Sequence, residues 1–192
     1  MFNIFIRHGE VQNPSEINYS DIPGFSLSEK GRQQAEQAGN YLKSIGKDLD
    51  IISSPILRAR QTAEIISNVL KTDFTTDKSL YEWRCPPSWV GRKFKDLDKE
   101  DLLIRNYKDI PLQLKGGAES FKKTSERMKD IDNQYENKIF ISHQDAIRSY
   151  TFFTLDNQSL QFHQDKPAHC EIQQITENQH GLKEIEKLFI PK

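Results

Sequence analysis

Two histidines follow near-copies of one short apolar sequence and could act together on one ligand. The two copies are Ile4–His8 (Ile-Phe-Ile-Arg-His) and Ile139–His143 (Ile-Phe-Ile-Ser-His). Each apolar run is too short for a helix and rich in β-branched and aromatic residues, which predicts a buried strand. Ligands of open α/β sheets bind beyond the carboxyl ends of parallel strands, and neighbouring strands lie about 5 Å apart. If the two strands are neighbours, His8 and His143 lie side by side. Paired imidazoles beside the Arg7 guanidinium suit an anion, and we expect a phosphate.

A further cation is expected at the start of a helix. Ser54 and Pro55 are typical of an N-cap followed by the first helical residue, and apolar residues then recur at helical spacing from Ala59 to Leu70. Arg58 would lie in the first turn of this helix. There the macrodipole and the free backbone N–H groups favour an anion.

The other elements alternate between strand and helix, which predicts an α/β fold with a mixed sheet in one domain spanning residues 1–192. The strand before Arg7 and His8 is predicted over Phe2–Ile6. Further strands are predicted at Leu49–Ser53 and Phe74–Thr76, with two edge-like strands at Ala168–Thr176 and Leu182–Phe189. Helices are predicted from Ser28 to Ile45, from Phe121 to Tyr135, from Asp145 to Phe153 and, weakly, over Asp96–Tyr107. Two loops, over residues 9–26 and 83–94, are long enough to serve the site.

Composition narrows the function classes. The 192 residues include 27 Lys and Arg against 28 Asp and Glu, so the balance does not favour non-specific nucleic-acid binding. We expect no membrane span and no signal peptide, because no apolar run is long enough and the N-terminus leads directly into a strand. Two cysteines, Cys85 and Cys170, make no disulfide framework, and we expect a cytoplasmic protein. The sequence carries no signal for an oligomeric state.

Four segments read together resemble the histidine phosphatase, or phosphoglycerate mutase-like, superfamily. They are Arg7-His8-Gly9-Glu10, Leu27-Ser28-Glu29-Lys30-Gly31, Ser53-Ser54-Pro55 with Arg58-Ala59 and Gln61-Thr62-Ala63, and Ser142-His143. The resemblance implies a three-layer sandwich with a central mixed, mostly parallel sheet flanked by helices. It also implies that His8 is the nucleophile and carries a phosphohistidine. Arg7, Arg58, His8 and His143 would bind the phosphoryl group, and Glu82 would protonate the leaving oxygen. No metal and no cofactor are implied.

The sequence departs from the family pattern around the expected pocket. The family often has asparagine six residues after the first histidine, whereas this chain has Pro14, preceded by Asn13. Gln144 replaces the usual glycine after the second histidine, and Trp89-Val90-Gly91 replaces a commoner Trp-Glu-Gly. Asn13 and Gln144 are therefore candidate pocket residues.

A loop after Gly116-Gly117 contributes two more candidates. Glu119 and Ser120 could line the pocket, although capping of the following helix explains them almost equally well. Glu10 and Glu119 compete with Glu82 for the acid role. His163, His169 and Cys170 match no common zinc spacing, so we interpret them as structural or surface residues.

The sequence therefore predicts a metal-independent phosphomonoesterase that hydrolyses a small phosphorylated compound through His8. A mutase or phosphotransferase is the closest alternative, since it shares the first half-reaction. A binding protein on an inactive version of the fold, and a phosphatase of phosphohistidine or phosphotyrosine proteins, also stay open.

Overall fold

The protein is built on one mixed sheet, seen in a computed structural model that describes residues 2–20, 22–47, 49–99, 116–154 and 166–192. The strands are β1 (Phe2–Arg7), β2 (Ile51–Ser53), β3 (Phe74–Thr76), β4 (Ile139–Ser142), β5 (Ile172–Glu177) and β6 (Lys183–Phe189). The helices are α1 (Glu29–Ser44), α2 (Leu57–Leu70), α3 (Phe94–Lys99), α4 (Phe121–Gln134) and α5 (Gln144–Thr154). Short 3₁₀ turns cover Lys78–Leu80 and Pro87–Trp89. In this part of the chain the strand order is β3-β2-β4-β1-β5-β6.

The repeated apolar sequence forms two parallel neighbours paired in register. β1 pairs with β4 from Ile4 opposite Ile139 to Arg7 opposite Ser142. β4 pairs on its other side with β2, also in parallel. The carboxyl ends of β1, β4 and β2 therefore meet at one edge of the sheet, and the chain beyond each strand enters the same space.

Alternate side chains of the central strands enter two separate apolar cores. Ile4 and Ile6 face a core that contains Ala35 of α1 and Ala63 of α2. Phe5, between them, faces the opposite core, to which α4 and α5 contribute. Because apolar layers cover both faces, the sheet is the middle layer of three. This confirms the predicted α/β sandwich with a mixed, mostly parallel sheet.

Two predictions about α2 and α1 are wrong. Helix α2 begins at Leu57 with Ile56 as its N-cap, not at Ser54-Pro55. The Ser54 hydroxyl lies 2.8 Å from His143 Nε2, so it serves the end of the sheet rather than a helix cap. Ile45 does not extend the buried face of α1, since it is the C-cap and 39% exposed.

The predicted carboxyl-terminal strands also differ from those observed. β5 begins only at Ile172, and it is an interior strand because it pairs antiparallel with both β1 and β6. The preceding residues fold over the end of β1 instead, where the Cys170 N–H donates to the Arg7 carbonyl at 2.9 Å. Only the beginning of the weakly predicted helix Asp96–Tyr107 falls in α3. Its remainder and His163 lie outside the described residues.

The loop after β1 lies directly against the beginning of α1 because two glycines permit close backbone contact. A Cβ on Gly9 would lie 2.4 Å from the Gly31 carbonyl oxygen, and a Cβ on Gly31 would lie 2.0 Å from that of Glu10. Ser28 caps α1 by accepting from the Gly31 N–H at 3.0 Å, and its hydroxyl donates to Glu10 at 2.9 Å. The two glycine-containing sequence segments are thus packing partners, and their contact fixes the chain just after His8. No helix in the described part of the chain has the length and apolar character needed to cross a membrane.

Candidate active site

The histidine after β1 is held in one tautomer by its neighbours. His8 is almost fully buried, and its ring centroid lies 5.1 Å from that of His143 in an edge-on arrangement. His8 Nδ1 lies 2.7 Å from the Gly9 carbonyl oxygen, which can only accept, so Nδ1 carries the proton when the ring is neutral. His8 Nε2 then keeps its lone pair and accepts from Arg58 Nε at 3.2 Å.

Burial and the surrounding cations keep both imidazoles neutral. Desolvation lowers the pKa of His8 well below its usual range, and the charges of Arg58, His143 and Arg7 lower that pKa further. Desolvation likewise lowers the pKa of His143, followed by the charges of Arg58, Arg127 and Arg7. A neutral His8 is nucleophilic at Nε2 near pH 7 without a separate base.

Two arginines converge on this pair from different elements. Arg58 lies in the first turn of α2 as the sequence predicts, and it is 1% exposed. Its guanidinium also donates to the Ser20 carbonyl at 3.3 Å and stacks over the Tyr19 ring at 4.9 Å. Arg7 is fixed by donation from Nη1 to the Pro167 carbonyl at 2.9 Å. Arg7 Nε is buried and has no hydrogen-bond partner among the described residues, so this donor suits an oxyanion.

The predicted acid lies at the N-terminus of α5. Glu82 Oε1 accepts from the backbone N–H groups of Trp83, Asp145 and Ala146 at 2.8, 3.1 and 3.2 Å. Desolvation and the nearby Asp145 carboxylate raise the pKa of Glu82 to about 7, against the opposing charges of Arg58 and Arg7. A carboxyl group with this pKa can both give and take a proton near neutral pH.

Two adjoining cavities meet at these residues. The smaller, of about 180 Å³, is lined by Arg7 and His8 among others. The larger, of about 660 Å³, extends away from it. Ser20, Arg58 and Glu82 line both, so the space beside His8 continues into a chamber large enough for a leaving group.

The candidate pocket residues have different positions. Gln144 lines the smaller cavity and Glu119 the larger one, where Glu119 pairs with Arg127 at 3.2 Å. Ser120 instead caps α4, since its hydroxyl accepts from the Lys123 N–H at 3.1 Å. Asn13 lines neither cavity, because its side chain bonds to the Ile17 backbone at 2.8 and 3.2 Å.

The competing carboxylate Glu10 is not at the cavities. It lines neither of them, accepts from the Ser28 hydroxyl and pairs with Lys30 at 3.5 Å. Glu10 therefore holds the beginning of α1 in place. Among the candidate acids this leaves Glu82 and, farther out, the paired Glu119.

Four residues at the site were not identified from the sequence. Asp145 and the buried Asn18 line the smaller cavity, Ser54 contacts His143, and the His169 ring centroid lies 5.9 Å from that of His8. Burial and the charges of Arg7 and Lys30 lower the pKa of His169 to about 3, so the ring is neutral. Asp145 could have been identified from the sequence, because it follows His143 by two residues and lies at the predicted start of a helix.

The described residues contain no group of three or more His, Cys, Asp or Glu side chains arranged to hold a metal ion. The positive charge of the cavities comes from arginine and lysine side chains, with the Arg58 guanidinium directly at His8. Two imidazoles, two guanidinium groups and a carboxyl group with a pKa near neutrality can supply a nucleophile, charge stabilisation and a proton for phosphoryl transfer.

Comparison with known proteins identifies the family. The model of the histidine phosphatase superfamily (branch 1) matches residues 3–189. The chain belongs to this superfamily. Structures of a mycobacterial glucosyl-3-phosphoglycerate phosphatase (TM-score 0.81, 18% identity) and of the phosphoserine phosphatase of Entamoeba histolytica (TM-score 0.78, 23% identity) share the fold. Both comparisons cover 100% of this chain. They cover 99% of the mycobacterial phosphatase and 96% of the Entamoeba phosphatase.

Sequence relatives match a shorter region. A 2,3-bisphosphoglycerate-dependent phosphoglycerate mutase of Thermoplasma acidophilum is 44% identical over 80 residues, which is 41% of this chain and 40% of that protein. A probable phosphoglycerate mutase of Salmonella paratyphi C is 40% identical over 77 residues, which is 40% of this chain and 35% of that protein. The chain thus matches about two fifths of the length of these relatives.

Proposed function

We propose that the protein is a phosphomonoesterase that transfers the phosphoryl group of a small substrate to His8 Nε2 and then to water. The observation that carries this proposal is the 2.7 Å contact between His8 Nδ1 and the Gly9 carbonyl oxygen, which assigns the ring proton to Nδ1. With its Nδ1 proton directed at the Gly9 carbonyl, the ring presents a lone pair at Nε2 beside the Arg58 guanidinium. We further propose a reducing compartment such as the cytoplasm, because two cysteines in 192 residues are too few for a disulfide framework.

In the first half-reaction, Arg58 Nε exchanges its hydrogen bond to His8 Nε2 for one to a phosphoryl oxygen, which frees the Nε2 lone pair. That lone pair then forms a bond to phosphorus while the bond from phosphorus to the ester oxygen breaks. Protonated Glu82 gives its proton to that oxygen, and the alcohol leaves. Arg7 and Arg58, with His143, stabilise the charge on the equatorial phosphoryl oxygens. The Gly9 carbonyl stabilises the positive charge that the ring gains, because it accepts a hydrogen bond from the Nδ1–H group.

In the second half-reaction the roles of Glu82 reverse. The carboxylate takes a proton from water as the water oxygen bonds to phosphorus. The bond between phosphorus and Nε2 breaks, its electron pair returns to His8, and phosphate leaves. A pKa of about 7 suits both steps, since neither protonation state is costly near neutral pH.

A mutase is the alternative that the sequence relatives favour, because two of them are named phosphoglycerate mutases. It differs only in the acceptor, which is a substrate hydroxyl instead of water. Adding phosphoglycerates to the labelled phosphoenzyme separates the two activities. Release of labelled phosphate supports hydrolysis, whereas transfer of the label to the added compound supports a mutase.

The deciding experiment is to trap the intermediate. Enzyme mixed with labelled p-nitrophenyl phosphate and quenched without acid should carry an alkali-stable, acid-labile label on a peptide containing His8. His8→Ala should abolish both label and turnover, while the matched control His180→Ala, at an exposed histidine, should keep both. Full activity in His8→Ala, or a label on another residue, would refute the proposed mechanism.

A further inference from the structure

The larger cavity carries positive charge that the proposed chemistry does not use. Its wall includes the cations Arg58, Lys78, Arg84 and Arg127 and the anions Glu82 and Glu119. Arg58 lies at His8, Glu82 is held by backbone N–H groups, and Glu119 is paired with Arg127. Lys78 and Arg84 are the two cations of this wall to which the proposed chemistry gives no role. Neither has a carboxylate partner within the described ranges.

The backbone that carries these two cations is rigidly held. Arg127 donates to the carbonyls of Ser79 at 2.6 Å and Glu82 at 3.1 Å, which ties down the segment from Lys78 to Glu82. The Glu119 N–H donates to the Arg84 carbonyl at 2.9 Å. Both cations therefore start from fixed positions on either side of the candidate acid. A binding site built in this way is preorganised on its backbone, although its charged ends are exposed.

The same cavity also has an apolar wall. Ile22, Pro23, Phe25 and Leu57 line it. The Phe25 ring stacks on Tyr19 with centroids 4.9 Å apart, and Tyr19 in turn lies under Arg58. This wall is thus connected to the phosphoryl-binding arginine. A three-carbon phosphate would occupy only a small part of this cavity of about 660 Å³.

We propose that the substrate is a phosphomonoester with a leaving group at least as large as one ring and with a second anionic group on it, which Lys78 and Arg84 bind. This proposal rests on the proposed function, since it assumes that the phosphoryl group lies at His8. The ring lies against Phe25 and Leu57, and the second anion reaches the two cations. The substrate is held at both ends, so its scissile oxygen lies near Glu82, which both cavities share.

The test uses non-hydrolysable probes that differ by one charge. Calorimetry gives the Kd of 4-carboxybenzylphosphonate and of its carboxamide analogue, together with the longer biphenyl pair. We expect the wild type to bind the carboxylate of at least one pair about 3- to 20-fold more tightly, because each exposed ion pair contributes up to about fivefold. This preference should shrink as salt is added.

Variants assign the preference to the two cations. In the double variant Lys78→Met, Arg84→Met the preference should fall to about one, whereas Lys123→Met, which removes an exposed lysine of α4, should keep it. Equal Kd values for carboxylate and carboxamide in the wild type, or an unchanged preference in the double variant, would overturn the proposal. A His8 phosphoenzyme without a charge preference refutes only the second anion site. A charge preference without a phosphoenzyme refutes only the proposed reaction.

Discussion

Replacement of Glu82 by glutamine tests the acid role with little change in shape. The carboxylate is held by three backbone N–H groups, two of them at the N-terminus of α5. A glutamine oxygen can accept the same three hydrogen bonds, so Glu82→Gln should keep the local fold and remove only the transferable proton. Any loss of rate then reports proton transfer rather than a displaced helix.

The size of the effect follows from the leaving group and from pH. A positioned acid contributes about 10²–10⁴-fold when an alkoxide must leave, and little when p-nitrophenolate leaves. With a pKa of about 7, half of the wild-type molecules hold the proton at pH 7. The protonated fraction then falls about fivefold over the first pH unit above 7 and about tenfold for each unit after that. The ratio of wild-type to variant rates for an alkyl phosphate should therefore be about 10²–10⁴ below pH 7 and decrease steadily above it.

Rapid-quench measurement of phosphoenzyme formation is the assay. Glu82→Gln should lose rate with an alkyl phosphate and keep most of it with p-nitrophenyl phosphate. Because the variant also lacks a base for water, p-nitrophenolate should appear in a burst followed by slow turnover. Glu10→Gln serves as the control, since Glu10 lies at Ser28 and Lys30. An equal loss for both substrates would show that Glu82 only positions other groups. No loss for either would transfer the acid role to Glu119.

Four further predictions address the other parts of the site and the fold. Arg58→Lys should lower kcat about 10²-fold in steady-state assays, because lysine lacks the planar fork that holds two phosphoryl oxygens. Activity should persist after exhaustive chelation, and recovery by one added metal would contradict this. Asp145→Asn removes a negative charge, so the pKa of Glu82 should fall and the alkaline limb of the rate profile should move to lower pH. Gly31→Ala should lower the free energy of unfolding by about 1–3 kcal/mol in urea titrations, because its Cβ would lie 2.0 Å from the Glu10 carbonyl oxygen. Gly39→Ala should lower it less, because the nearest atom, the Val69 Cβ, lies at 3.0 Å.

The central sheet was predictable because its strands depend on local apolar patterns. The repeated pentapeptide predicted both β1 and β4 and their register. Each histidine lies at the same distance from its apolar run, so pairing of the two runs also aligns the two histidines. The helical spacing of α2 likewise placed Arg58 correctly. In each case the signal lies within about fifteen neighbouring residues, where side-chain periodicity and backbone structure are directly linked.

Contacts between distant segments could not be predicted in this way. The Ser54 hydroxyl contacts His143, 89 positions away, and this contact replaces the local role as a helix cap that its sequence context favours. Asn13 has the expected residue type near the expected position, but the loop turns its side chain onto Ile17. Asn18 lines the cavity instead. His169 approaches His8 because residues 167–170 bond to Arg7, an arrangement that only the tertiary fold creates.

The electrostatics of the candidate site depend on one set of charges that has two effects. Desolvation lowers the pKa of His8 most, and Arg58 and Arg7 lower it further, so the ring stays neutral near neutral pH. The same guanidinium groups would stabilise the phosphoryl oxygens once a dianion is bound. That dianion would in turn offset the two positive charges, so the positive charge on a phosphorylated His8 ring costs less than it would in the empty site. In the proposed reaction the arginines would therefore favour the neutral His8 ring before transfer and its phosphorylated form afterwards.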